Sequence, residues 1–300
     1  MKKRIAEPTD DQELENSKPR QMRADGQRKM SSILEAAMQV FRKSGVDAPV
    51  REILALKSPV SSARPTTSYW LGARDVTLGE ASAVALKAEG TDVRFIHIDL
   101  NKMETIQAAA ASIEADYGRL DVLVNNAGIA DRADGPPSKT GIDAVRHIFD
   151  TNFFGTLAVT QAMLPLLRKS LSGRIVNVSS GLGSLTHNGD PSWEFAQAKF
   201  LGYNSSKAAL NMLTVQLASE LKNTRIKVNS ADPGFTATDL NNHRGHQSIP
   251  EGAAGVVHLA LLPDDSPTGG FFSTSDPQPW QAGSQGEKRS QASGRALSSA

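Results

Sequence analysis

Leu123-Val-Asn-Asn-Ala-Gly128, Ile175-Val-Asn-Val-Ser-Ser180 and Tyr203-Asn-Ser-Ser-Lys207 follow one another along the chain, and their reading decides the fold. In the first two, a short apolar run stops at small polar residues, as a buried strand does where it leaves its sheet. In the third, Tyr203 and Lys207 stand four apart, so on a helix they share a face. Working outward, Tyr69-Trp-Leu-Gly-Ala73 predicts a strand, and Asp75 caps a helix that ends at Gly90. Further strands are expected at Val93–Ile98, Asp121–Asn125, Arg174–Val178, Arg225–Ser230 and Gly270–Ser273. Helices are expected at Lys102–Tyr117, Ile142–Lys169, Gly202–Leu221 and Glu251–Leu262. Apolar strands alternating with helices specify a parallel sheet covered on both faces.

The 300 residues, 39% of them hydrophobic, suffice for one sizeable core with a small appendage. A net charge of +1 gives no global argument for nucleic acid or an acidic membrane. The absence of cysteine excludes disulfide and thiolate chemistry and suits a reducing cytosol. Met1-Lys-Lys-Arg-Ile-Ala-Glu-Pro8 starts basic but has no apolar stretch behind it, so no signal peptide is expected. No run approaches the ~20 apolar residues of a membrane span, and the expectation is a soluble, cytoplasmic protein.

In open parallel sheets, ligands bind beyond the carboxyl ends of the strands. Ser180, Asn125 to Gly128 and Asp232-Pro-Gly-Phe-Thr236 all end strands in this reading. A phenol with a pKa near 10 is a poor acid–base group at neutral pH. The ammonium of Lys207 would favour phenolate and lower that pKa, making Tyr203 a useful proton donor. Taken singly, Tyr203 could merely pack, Lys207 could be a solvated helix charge, and Ser180 could begin a turn. As a set the bland account fails, because Asn152, in Asp150-Thr-Asn-Phe-Phe-Gly155, is also in register.

This constellation resembles the short-chain dehydrogenase/reductase family, and most closely its NADPH-dependent carbonyl reductases, over about residues 69–280. The resemblance implies an α/β fold, a Rossmann-like doubly wound parallel sheet. It also implies an NADP-dependent oxidoreductase that reduces an aldehyde, ketone or quinone to an alcohol by hydride transfer, the cofactor carrying the hydride. By the same resemblance, Ser180 polarises the carbonyl, Tyr203 donates the proton, Lys207 reaches the nicotinamide ribose, and Asn152 supports a water relay to the lysine. Cofactor contacts would fall at Arg74, Asp99, Leu100, Asn126, Ala127, Gly128, Pro233, Gly234 and Thr236, besides Tyr203 and Lys207. Asp99 fits an adenine contact, and a helix N-cap equally well. Arg74 stands where an acid would bind the 2′-hydroxyl of NAD, so it suits the 2′-phosphate of NADP; an exposed surface arginine is the alternative. In Asn125-Asn-Ala-Gly128 the asparagines are expected to tie backbone groups of neighbouring strands, and Gly128 lets the cofactor come close. Tyr203 comes 23 residues after Ser180, a long insert that resembles the carbonyl reductases. There it covers a helix face used elsewhere for dimerisation, which implies a monomer. The insert carries His187, Trp193 and Phe195 and could line the substrate pocket or form a surface flap. No metal site is expected, since His187 has no partner at ligand spacing.

The resemblance breaks at its start. A complete member carries a strand, a Gly-x-x-x-Gly-x-Gly turn and a helix ahead of the strand at Tyr69, and the turn's amides hold the pyrophosphate. Between Val46 and Leu71 there is no glycine, so that cradle and a central strand of the sheet are expected to be missing. The flanking strands would then lose ladder partners and expose apolar faces. Saturable NADPH binding would mean that another segment, such as residues 50–68, has replaced the phosphate loop. The fold is thus incomplete at its first β-α unit and has an N-terminal helical appendage. Arg23 to Ile53 resembles the start of TetR-type transcriptional regulators, with helices at about Ser31–Phe41 and, after Pro49, at Val50–Leu56. Pro59 and Pro65 stand where the DNA-reading helix should follow, so that function fails. The expected organisation is a disordered arm (1–20), a TetR-like helical fragment (21–57), a linker or junction (58–68), the reductase domain (69–280) and a disordered tail (281–300). A joining of two gene fragments explains this arrangement most simply, and a catalytically inactive pseudo-enzyme is the alternative to a working reductase.

Overall fold

A computed structural model describes residues 51–57, 67–273 and 276–280. Its strands are β1 (Arg51–Lys57), β2 (Thr67–Ala73), β3 (Val93–His97), β4 (Val122–Asn125), β5 (Arg174–Val178), β6 (Lys227–Asp232), β7 (Phe271–Ser273) and β8 (Asp276–Pro277). Its helices are α1 (Val76–Ala88), α2 (Met103–Tyr117), α3 (Ile142–Phe149), α4 (Thr156–Leu167), α5 (Leu185–Gly189), α6 (Leu201–Glu220) and α7 (Ile249–Ala260). One sheet orders the strands β3-β2-β1-β4-β5-β6-β7-β8.

The period-2 alternation of a strand divides the core between the two faces of this sheet. Trp70, Leu123 and Ile175 point to one face, where they pack with Ile106, Val159, Met163 and Leu217 of α2, α4 and α6. Tyr69, Leu71, Val122, Val124 and Val176 point to the other, against Ala83, Leu86, Val256 and Leu259 of α1 and α7. Each fully buried aliphatic or aromatic side chain contributes about 1.5–3 kcal/mol. Helix starts follow the sequence closely: Asp75 caps α1 by accepting from Leu78 N at 2.9 Å, and Ser248 with Glu251 forms a capping box on α7.

Four expectations are corrected. The helix at Val50–Leu56 is not formed: Arg51–Lys57 is a strand, antiparallel to β2 (Leu54 opposite Trp70) and to β4 (Leu54 opposite Leu123). A short apolar run has no periodicity that separates strand from helix, and two open ladders make the extended form the favourable one. The sheet therefore has a central strand, running against its neighbours, and β2 and β4 keep their partners. Thr67 and Ser68, read as linker, belong to β2. The helix expected at Ile142–Lys169 is interrupted by a π-helical turn at Asp150–Gly155. β6 lies two residues later than expected, at Lys227–Asp232. The arm, the helix at Ser31–Phe41, residues 58–66 and the tail after Trp280 lie outside the described residues.

Candidate active site

β4, β5 and β6 are mutually parallel, so their carboxyl ends share one edge of the sheet. α6 packs across that edge, carrying Tyr203 and Lys207. Lys207 is 3% exposed; its ammonium donates to the carbonyl of Val178 at the end of β5 (2.8 Å) and lies 5.7 Å from the centre of the Tyr203 ring. Ser180 follows β5 and is in hydrogen-bonding contact with the Tyr203 phenol.

Asn152 sits in the π turn, a local widening that often marks functional sites. Its Oδ1 accepts from Ile129 N (2.7 Å), and its Nδ2 donates to Ile129 O and to Ser206 Oγ (3.0 Å each). The π turn is thereby tied to the chain leaving β4 and to the helix carrying Tyr203. Gly128 lies between these groups: a β-carbon there would stand 3.1 Å from Lys207 Nζ and 3.7 Å from Asn152 Oδ1. Only glycine keeps this approach to the lysine open.

Asn125, expected to tie backbone groups, acts differently. Asn125 bonds side chains, donating to Asn177 Oδ1 (2.7 Å) and Thr160 Oγ1 (3.0 Å), and Asn177 donates onward to Thr214 (2.7 Å). This buried polar chain ties β4 and β5 to α4 and α6. Asn126 and Ala127 continue from it to Gly128 at the same edge. After β6, Pro233 to Thr236 form a tight turn, with Gly234 at φ 68° and Thr236 Oγ1 donating to Pro233 O (2.8 Å).

Arg74 follows β2 directly and is half-buried. Asp99 and Leu100 follow β3, which is parallel to β2, so all three belong to the same edge. Asp99 is not a helix N-cap: its Oδ1 accepts from Asn101 N (3.1 Å) in a turn, and Lys102 is the N-cap of α2. Among the described residues no group of three or more metal-ligating side chains converges, and no helix is long and apolar enough to cross a membrane.

The Tyr203 phenol is pushed up to about 12, opposite to the lowering expected from Lys207. Burial is the largest cause, the Asp232 carboxylate adds to it, and the Ser180 contact pulls the other way. Asp232 is itself raised, mainly by burial, against hydrogen bonds from Gly234 N and Gly181 N.

Asp134 was not foreseen. Its carboxylate accepts from Gly202 N (2.9 Å) and Tyr203 N (2.8 Å), and so caps α6 from a loop 68 residues away. An Asp in the Asp-Gly-Pro-rich stretch after β4 is the sole signal in the sequence, and it reads as an ordinary turn.

The nicotinamide end of a dinucleotide fits this edge: an open glycine beside a buried ammonium, and a serine and a tyrosine in contact. The pyrophosphate end finds no glycine cradle among the described residues. Arg51 pairs with Ala73 at the carboxyl end of β2, whereas Lys57 pairs with Thr67 at its amino end. The connection from Lys57 to Thr67 thus begins and ends at the far edge. Residues 58–66, most of the segment expected to replace the loop, lie outside the described residues.

The short chain dehydrogenase family profile matches residues 67–248. A short-chain dehydrogenase of Penicillium roqueforti is 42% identical over 170 residues, spanning 55% of this chain and 66% of that protein. Carbonyl reductase (NADPH) 1 of Homo sapiens is 34% identical over 248 residues, spanning 70% and 88%. Among solved structures, the NADPH-bound carbonyl reductase from chicken fatty liver superposes with a TM-score of 0.61 at 25% identity, covering 70% of this chain and 83% of that one. With the profile spanning more than half of its length, the chain belongs to the short chain dehydrogenase family.

Proposed function

We propose that this protein reduces the carbonyl of a small molecule to an alcohol with NADPH. The observation that carries this reading is the contact of Ser180 with the Tyr203 phenol, with Lys207 5.7 Å from the same ring and, like Asn152, beside Gly128. The likeness to carbonyl reductases that use NADPH supports it. The nicotinamide, when bound, supplies the hydride to the carbonyl carbon. Tyr203 donates its phenolic proton to the carbonyl oxygen, and Ser180 orients that oxygen by hydrogen bonding. Lys207, anchored on Val178 O, holds positive charge beside the phenol and the ribose side of the site. Asn152 fixes the geometry by joining the π turn to α6. Arg74 at the end of β2 would favour the 2′-phosphate, and the turn at Pro233–Thr236 would add contacts to the cofactor.

We infer that affinity is weakened by the missing cradle, because the pyrophosphate loses a ring of backbone donors. Titration of the folded chain with NADPH, read by nicotinamide fluorescence, tests the proposal. Saturable micromolar binding, shifted toward NADH by Arg74→Asp, is expected. A cooperatively folding chain that binds neither nucleotide would be a pseudo-enzyme. The long insert, fastened to α6 by Asn204 (2.9 Å to Ala198 O), also implies a monomer. Sedimentation velocity checks that; a dimer would place its interface on the exposed Met212 and Val215 of the same helix.

A further inference from the structure

Asp232 has no task in the reduction, and its position is costly. It ends β6 immediately before Pro233, half-buried, accepting from Gly234 N at 3.0 Å and from Gly181 N. No lysine or arginine pairs with it among the described residues. A carboxylate partly removed from water without a cation is disfavoured, and this one also acts against ionisation of the catalytic phenol. A charge that burdens both itself and the reacting group is where local rules give way to function.

What faces Asp232 indicates the function. A β-carbon at Gly181, next to Ser180, would stand 3.0 Å from Asp232 Oδ2, 3.3 Å from Trp193 Cζ2 and 3.7 Å from His187 Nδ1. Carboxylate, indole and imidazole therefore all approach Gly181 closely, next to Ser180. His187 Nδ1 is buried there without a hydrogen-bond partner. Trp193 stacks on His187 (4.8 Å between ring centres) and meets Phe195 edge-on (5.5 Å), which in turn meets Phe235 (5.6 Å). All four rings are half-exposed and form a wall beside the carboxylate.

We propose that Asp232 and the Trp193–Phe195–Phe235 wall select carbonyl substrates that carry a protonated amine near the carbonyl. This rests on the carbonyl-reductase reading and names its substrate class. The ammonium gives Asp232 a charge-assisted hydrogen bond, and the aromatic faces attract the same cation. When Nδ1 of His187 carries no proton, it can accept a second N–H. The arriving cation also cancels the field of Asp232 at Tyr203, so substrate binding itself eases proton donation. A neutral ketone of equal shape brings no such compensation.

Calorimetric titration of the full chain, with NADP present, tests this. The probes are an aryl ketone bearing a dimethylaminomethyl group and its isosteric isobutyl analogue, each against wild type and Asp232→Asn. Wild type should bind the amine about tenfold or more tightly, and Asp232→Asn should bring the two affinities within about twofold. Phe235→Leu should lose a smaller part of the preference. Equal affinities in wild type, or a preference that survives Asp232→Asn, overturns the proposal. Wild type alone decides the first point if the variant fails to fold. Turnover separates the two readings: amine-selective binding without reduction defeats the reductase and keeps the site, whereas reduction of both ketones at equal affinity does the reverse.

Discussion

The β4–β5–β6 edge and the β2–β1–β4 junction fill the same sheet by different means. β4, β5 and β6 run forward, each joined to the next by a helical crossover that fixes its direction. Their carboxyl ends therefore deliver Gly128, Ser180 and Asp232 to one place. β1 meets the hydrogen-bonding demand of β2 and β4 equally well, but in reverse. Its start, not its end, lies at the catalytic edge. Ladder satisfaction thus decides that a central slot is occupied, and connectivity decides whether a phosphate-binding turn can leave from it. A sheet can be continuous where its ligand site is not.

The sharpest way to separate the two regions is Tyr203→Phe. It removes the proton donor while leaving the ring in place, so carbonyl reduction should fall by about 10²–10⁴-fold. NADPH affinity, carried by Lys207 and the edge around Gly128, should stay within about twofold, as fluorescence titration and single-turnover NADPH oxidation would read. In wild type the phenol stays protonated to about pH 12 in the absence of ligand, so loss of its proton does not limit the donor near neutrality. Parallel loss of binding and turnover would mean that Tyr203 holds cofactor rather than moves a proton.

Leu54→Pro probes the other region. Leu54 is opposite both Trp70 and Leu123, so in a central strand its loss of an N–H breaks a ladder on one side or the other. Unfolding in urea should show about 3 kcal/mol lost, against little change for a proline in the tail. Unchanged stability would mean that β1 does not occupy this slot.

The same contrast explains what could be read from sequence. Alternation, caps and punctuation placed the elements from β2 to β7 to within a few residues, because crossovers of ordinary length leave little choice. The residues proposed for catalysis stood out as residue types at strand ends and one helix turn apart. β1 was not, because Arg51 to Lys57 carries too short an apolar run to declare its state, and what decides it lies in β2 and β4. The π turn escaped because its residues keep helical composition, and only Asn152's bonds to Ile129 and Ser206 reveal why the winding loosens there. The raised Tyr203 reflects burial first and then Asp232, a residue quoted within its motif but without a role until the fold set it near the phenol.

Asp134→Ala should have the smallest effect and the most specific one. Phe200, the residue ahead of α6, offers no side-chain cap, so the first turn depends on Asp134. That carboxylate is held in place by Thr140 Oγ1 and Gly135 N, both donating at 2.9 Å, while Leu201 N donates to Gly135 O at 2.9 Å. The loop after β4 therefore grips the helix at the amide of the catalytic tyrosine itself, with a negative charge at the helix N-terminus where it is favourable. Removing it should cost about 1 kcal/mol of stability. If the cap only stabilised the helix, kcat per folded molecule would not change and Asp134→Asn would differ from Asp134→Ala in melting temperature alone. A positioning role predicts more: kcat falls about tenfold with NADPH affinity nearly constant, because a displacement of the reacting group weakens chemistry before binding. Asp134→Asn, which keeps one acceptor, should recover part of that loss in kcat.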